Sequence, residues 1–200
     1  TYTLSLHDAL PISRPKEDTD RAIRRNAQDI LREFVMTFVS FFAKKQIIIA
    51  VLFLLLFRLP EALLTPVSQL FLQALPSKGG LGLSPQEFGL VNGTVGVIGF
   101  LVGGIIGGML ISRDGLKKWL WPMTLAITIP NLTYVYLAYV MPENLMLINV
   151  CVAIENLGYG FGFSAYMLFM IYFSQGEHKT SHYALCTGLM ALSMMLPGLF

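Results

Sequence analysis

Apolar residues fall along this chain in long runs separated by short polar segments. A hydrocarbon core of about 30 Å takes roughly 20 helical residues to cross. Five stretches meet or approach that length, at about 46–75, 88–111, 119–141, 145–173 and 182–200. The pattern predicts an all-α integral membrane protein with about five transmembrane helices. Residues 14–45 follow a different rhythm. Ile23, Ala27, Ile30, Leu31, Phe34, Val35, Phe38 and Phe41 recur at three- and four-residue steps, with Arg21, Arg24, Arg25 and Arg32 between them. This predicts an amphipathic helix on the membrane surface that connects larger parts, or one that binds lipid or a partner. Residues 1–13 are too short to span and lack the build of a signal peptide. They read as a translated sequencing adapter and are set aside, together with His7 and Asp8. The chain has no initiator Met at its start, and it is expected to be an internal piece of a longer protein.

The first run is interrupted where polarity is least expected. Arg58 stands about 17 Å beyond Lys45 at the helical rise, close to mid-membrane. A charge at that depth costs about 3 kcal/mol or more without a partner or a solvated cavity. Arg58 and Glu61 share a helical face at i,i+3 and can pair; Thr65 and Gln69 continue that face. A polar stripe on a greasy helix predicts a solvated path beside it. Glu155, about ten residues into the fourth span, supplies a second carboxyl at a similar depth, followed by Asn156, Gly158, Tyr159, Gly162 and Tyr166. Aromatic rings beside small residues can shape a pocket for a sugar or another polar ligand. The alternative is a neutral, hydrogen-bonded Glu155 in a packed interface.

The second span is rich in glycine. Gly99, Gly103 and Gly107 form one small-residue ridge, flanked by Gly104 and Gly108. It suits close backbone approach, whether static or sliding. Asn92, near one end of that span, is expected to face the pathway rather than carry a glycan, although Asn92-Gly93-Thr94 matches the acceptor pattern. Pro60, Pro66, Pro130 and Pro197 predict bends, tolerated where neighbours satisfy the freed carbonyls.

Composition agrees with this picture: 54% of the 200 residues are hydrophobic and only 13% charged, against about 25% charged in soluble domains. Lys and Arg are concentrated in 14–45, with Arg113, Lys117, Lys118 and Lys179 in the second and fourth loops, and only Lys78 in the other two. The positive-inside rule then places the N-terminal side in the cytoplasm and Phe200 toward the outside. Cys151 and Cys186 lie in apolar runs and read as packing residues. His178 and His182, with Glu177, fall short of a metal site, since zinc takes three or four convergent ligands. Gly158-Tyr159-Gly160-Phe161-Gly162 lacks the strand and helix of a nucleotide loop. With no Walker A loop, nucleophile elbow or catalytic triad, the sequence supports neither an ATP-driven pump nor an enzyme. No metal, cofactor or nucleic-acid partner is expected.

Two sets of residues resemble a known family. Gly108, Arg113, Gly115 and Lys117 match the cytoplasmic loop motif of the major facilitator superfamily, while Ser112 stands in place of its acid and Leu116 in place of a basic residue. Phe57-Arg58-Leu59-Pro60-Glu61-Ala62, Gly89-Leu90-Val91-Asn92-Gly93-Thr94-Val95-Gly96 and Ile154-Glu155-Asn156-Leu157 resemble segments of AmpG-like muropeptide permeases within that superfamily. The resemblance covers roughly 47–200. It implies helices seven to eleven of a twelve-helix carrier, with 14–45 as the linker from a missing N-terminal half. It further implies proton-driven import of anhydro-muropeptides across the bacterial inner membrane for peptidoglycan recycling, with the lipid bilayer and a glycopeptide substrate as partners. Within that expectation Glu61 or Glu155 carries the proton. Arg58 holds Glu61 ionised or meets a substrate carboxylate, and Asn92, Asn156 and Tyr159 bond the glycan. A carrier of the same fold for an acyl-CoA, peptide or other sugar conjugate, and a non-transporting scaffold or sensor, remain the alternatives.

Overall fold

The structure, a computed structural model, describes residues 27–176 and 178–199 of the 200-residue chain. The adapter-like 1–13, the basic stretch 14–26, Glu177 and Phe200 lie outside the described residues. The chain divides at Ser40 into two units. The first contains most of helix α1 (Ala27–Phe42), the described part of the expected amphipathic segment. Thr37 and Ser40 there turn their hydroxyls back onto the Glu33 and Thr37 carbonyls, hiding polar groups along an otherwise apolar stretch.

The described residues of the second unit form helices α2 (Ile47–Gln73), α3 (Pro85–Asp114), α4 (Leu116–Val140), α5 (Leu145–Ser174) and α6 (Lys179–Met195), joined by short loops. The first four are long and apolar enough to cross a membrane. The fifth expected run forms the shorter α6, 17 residues, which tightens into a 3-10 turn at Leu196–Leu199 around Pro197. Large apolar side chains point outward on these helices; Ile48 is 73% exposed, Trp121 75% and Tyr139 91%. Such a surface is stable in lipid and not in water. This is a multi-pass membrane protein.

Local chemistry sets the ends of α3 beyond the span 88–111 read from apolarity alone. Ser84 and Glu87 close a capping box, each side chain accepting from the other's backbone N–H, at 3.3 and 2.8 Å. Gly115, at φ +86°, stops the helix in a conformation that favours glycine. Within α3, Gly89–Gly96 winds as a π-helix. Further along the chain, α4 breaks into a 3-10 turn at Ile129–Asn131, where Pro130 removes a donor. Ahead of Pro60 in α2, Tyr166 and Ser193 donate their hydroxyls to the Leu54 and Leu55 carbonyls at 2.9 and 2.6 Å. Carbonyls in the turn ahead of Pro60 are thus bonded from neighbouring helices.

Helix α5 is the hub, packed against α3, α4 and α6. Glycines set its distance from α3. A Cβ at Gly103 would collide with the Leu157 carbonyl, and one at Gly160 with the Phe100 carbonyl. At Gly107 it would lie 2.8 Å from the Phe161 carbonyl. The expected small-residue ridge is therefore a backbone-to-backbone seam. On the other side, Gly158 and Gly162 face the Ala126 and Met123 carbonyls of α4 in the same way.

Of the apolar clusters that hold the second unit together, two flank its polar residues. One is built on Phe41, Leu54, Phe57, Tyr166, Met170 and Cys186, the other on Leu72, Leu83, Val91, Ile148, Cys151 and Val152. Both cysteines are thus free, buried packing residues. Lys44 secures the connection into α2. Its ammonium donates to the Phe173 and Gln175 carbonyls at the C-terminal end of α5 and lies 5.2 Å over the Phe173 ring. Positive charge there satisfies carbonyls that have no helical partner. Burial pushes the Lys44 ammonium below the ordinary lysine pKa, while Cys186 opposes that shift. Lys44→Met should lower stability by about 1 kcal/mol, the value of a lost charge-assisted cap, read as a lower Tm in detergent. Lys44→Arg should recover most of it.

Candidate functional site

Along α2 and α5 the polar residues sit between the two apolar clusters. On α2 the interval between Phe57 and Leu72 holds Glu61, Thr65, Ser68 and Gln69. On α5 the interval between Val152 and Tyr166 holds Glu155, Asn156 and Tyr159. Apolar packing at both ends leaves one place for the polar side chains to gather. They line a cavity of about 310 Å3, together with Asn92 from α3, Tyr134 from α4 and Met194 from α6. Six of the seven pathway residues expected from the sequence therefore share one cavity: Glu61, Gln69, Asn92, Glu155, Asn156 and Tyr159.

The two carboxyls differ in their surroundings. Glu155 is buried, and its Oε2 accepts from Asn156 Nδ2 at 2.6 Å. That Asn156 amide also donates to the Val152 carbonyl at 3.0 Å, which fixes its orientation. Glu61 Oε1 accepts from the Thr65 hydroxyl at 3.2 Å, whereas Oε2 is buried without a partner. A lone buried carboxylate oxygen is a costly feature in a membrane-spanning helix. Asn92 comes to the cavity from the π-helical stretch of α3, and the same stretch ends at Gly96, where a Cβ would press on the Asn156 amide at 3.3 Å.

Arg58 behaves differently from the simple i,i+3 pair. Among the described residues it makes no ion pair with Glu61. Its Nη1 donates to the Tyr159 hydroxyl and its Nη2 to the Met194 sulfur at 3.3 Å. The guanidinium lies 5.3 Å from the Tyr159 ring centre and 5.2 Å from that of Phe163. Two aromatic faces on α5 hold the cation that the sequence assigned to a neighbouring carboxylate. Arg58 thus borders the cavity through Tyr159.

The loop motif lies apart from this cavity. Arg113 and Lys117 are exposed, Gly108 is on α3 and Gly115 forms the break before α4. Two residues after Ser112, Asp114 accepts from Trp119 Nε1 at 3.0 Å and pairs with Lys118 at 3.2 Å. His178 and His182 stack edge-on at 6.1 Å, and His182 also faces the Phe41 ring. Sequence reasoning missed Ser68, Tyr134, Met194 and Phe163. Ser68 was findable at i+7 from Glu61, and Phe163 at i+4 from Tyr159.

Neither a protein-family model nor a solved structure matches this chain. Sequence relatives do. A Rickettsia prowazekii protein named as an AmpG 1 transporter is 28% identical over 149 residues, 74% of this chain and 32% of its own length. The anhydromuropeptide permease of Escherichia coli K12 is 26% identical over 159 residues, 80% of this chain and 31% of its own length. An uncharacterized Haemophilus influenzae protein is 24% identical over 186 residues, 88% of this chain and 42% of its own length. The chain spans about one third of the length of the transporter and permease it matches. The chain is thus a multi-pass membrane protein, with four helices apolar enough to span and a polar cavity between its helices, similar in sequence to proteins named as transporters and permeases.

Proposed function

We propose that this chain is part of a proton-driven secondary transporter that imports anhydro-muropeptides across the bacterial inner membrane. The observation that carries the reading is the cavity itself, which brings two intramembrane carboxyls together with amide and hydroxyl groups between two apolar clusters. The name of the Escherichia coli relative supports the substrate class. In this reading the chain is the larger portion of the second half of a major facilitator superfamily carrier, with its N-terminal side cytoplasmic and 14–45 as the linker between halves. The missing first half supplies the facing wall, and the two halves rock about the midplane. Glu61 and Glu155 are the proton-binding groups. Glu61 Oε2 takes a proton without breaking an existing hydrogen bond, while Asn156 keeps Glu155 oriented. Asn92, Asn156 and Tyr159 hydrogen-bond the sugar, and Gln69 extends the polar wall.

Vesicles carrying the full-length protein test the reading directly. Labelled anhydro-muropeptide should accumulate against its gradient when a proton gradient is imposed, and accumulation should collapse when a protonophore is added. Uptake of a different sugar conjugate in its place reassigns the substrate. Absence of any driven uptake leaves a scaffold or sensor.

A further inference from the structure

The aromatic residues that receive Arg58 also separate two spaces. On one side is the polar cavity, bordered by Tyr159. On the other, along the same α3–α5 pairing, a second cavity of about 660 Å3 begins at Phe100 and Phe163 and continues past Gly104 and Gly108 to Ser112. It ends beside Gly115, at the loop that carries Arg113, Lys117 and Lys118. Between the two spaces the three rings touch: Phe100 and Tyr159 are 5.3 Å apart at their centres, Phe100 and Phe163 5.9 Å, Tyr159 and Phe163 5.9 Å. The Arg58 guanidinium lies across Tyr159 and Phe163, and the residue is 6% exposed. Phe163 is in turn stacked on Tyr166, whose hydroxyl is anchored to the Leu54 carbonyl.

We infer that Phe100, Tyr159 and Phe163 form a partition between the polar cavity and the second cavity, and that Arg58 is the positioning residue that keeps it shut. Arg58 is then not a substrate anchor but a cation committed to these rings. Its planar cation is suited to the task, because one plane covers two ring faces while separate N–H groups reach Tyr159 and Met194. A lysine ammonium carries the same charge but cannot satisfy this geometry. Substrate or protons passing from one space to the other require Tyr159 or Phe163 to turn aside, breaking the Arg58 contacts. This assignment rests on the transport reading for its purpose but not for its test.

The test uses the full-length protein in a cysteine-free background, with Ser68→Cys as a reporter in the polar cavity. A membrane-impermeant maleimide is applied from the Arg113–Lys118 face. Phe163→Ala and Arg58→Lys should each raise labelling by about tenfold, the change that goes with losing a desolvated cation–π contact. Phe163→Leu, which keeps the bulk, should raise it less than Phe163→Ala. Labelling from the opposite face should stay at the parent rate in all three. Parent-rate labelling in Arg58→Lys means that charge alone suffices and overturns the positioning role. Parent-rate labelling in Phe163→Ala overturns the partition, as does a rise from both faces alike, which reports general loosening. Labelling needs no substrate, so its failure leaves the transport reading standing, and failed uptake by the parent protein does not touch the labelling result.

Discussion

Glu155→Gln should reduce proton-driven uptake by the full-length protein to the level of empty vesicles. Glu61→Gln should do the same or leave a small residue of activity. Glutamine keeps the shape of each side chain and can exchange hydrogen bonds with Asn156 or Thr65, so the cavity wall is preserved. What is lost is the capacity to gain and release a proton. The separating measurement is exchange, in which labelled substrate on one side swaps with unlabelled substrate on the other without net proton movement. Exchange should survive in at least one of the two variants while driven accumulation disappears from both. If both variants accumulate substrate at the parent level under a proton gradient, neither carboxyl carries the coupling proton, and the two belong to the packing of α2 against α5. Glu155 is expected to show the larger effect because it is the more deeply buried and has a dedicated partner in Asn156, itself held by the Val152 carbonyl.

The largest effects on stability should come from the α3–α5 seam. Gly103→Leu puts a branched side chain where even a Cβ meets the Leu157 carbonyl, and Gly160→Leu does the same against the Phe100 carbonyl. Backbone cannot swing aside as a side-chain tip does, so the helices must separate along the seam. The cost is about 3 kcal/mol or more, at the upper end for overpacked sites, and the outcome is loss of folded protein in detergent. Gly103→Ala is informative because helix propensity alone predicts a gain of about 1 kcal/mol. The collision reverses that sign, and a lower Tm is expected. Gly188→Ala on α6, where a Cβ meets nothing within 4 Å, should give the ordinary gain. A gain at both positions would mean that the seam is slack.

These two sets of residues differ in how much of their role was readable beforehand. Apolar run length pointed to five spans, four of which form helices long and apolar enough to cross, because lipid tolerates no other backbone solution than a helix or closed barrel. Glu61 and Glu155 stood out because a carboxyl in a greasy helix has few inexpensive places to go, and both line the cavity. Arg58 was visible for the same reason, but its partner was not. The nearest carboxylate in sequence was the obvious choice, and the cation instead lies on two rings from α5. Phenylalanine and tyrosine in an apolar span offer little contrast against leucine: of the receiving rings Tyr159 was singled out for a different role and Phe163 was passed over, and Tyr134 gave no signal. The glycine ridge was legible as spacing, while which carbonyls it meets depends on how α3 and α5 cross. Ser112 showed that the loop motif lacked its usual acid; that Asp114 takes up Lys118 and Trp119 follows only from the turn at Gly115.

The π-helical stretch Gly89–Gly96 has a consequence of its own. Such a stretch accommodates one more residue than an α-helix does over the same rise, so it acts as a vernier between the two ends of α3. Each residue of an α-helix turns the next side chain by about 100°. Rewinding this stretch to α geometry, with the glycine seam held in place, would rotate Asn92 away from Asn156 and out of the cavity wall. The seam and the cavity wall are thus cut from one helix but indexed separately, and the place where the count changes contains Asn92, the α3 residue that lines the polar space.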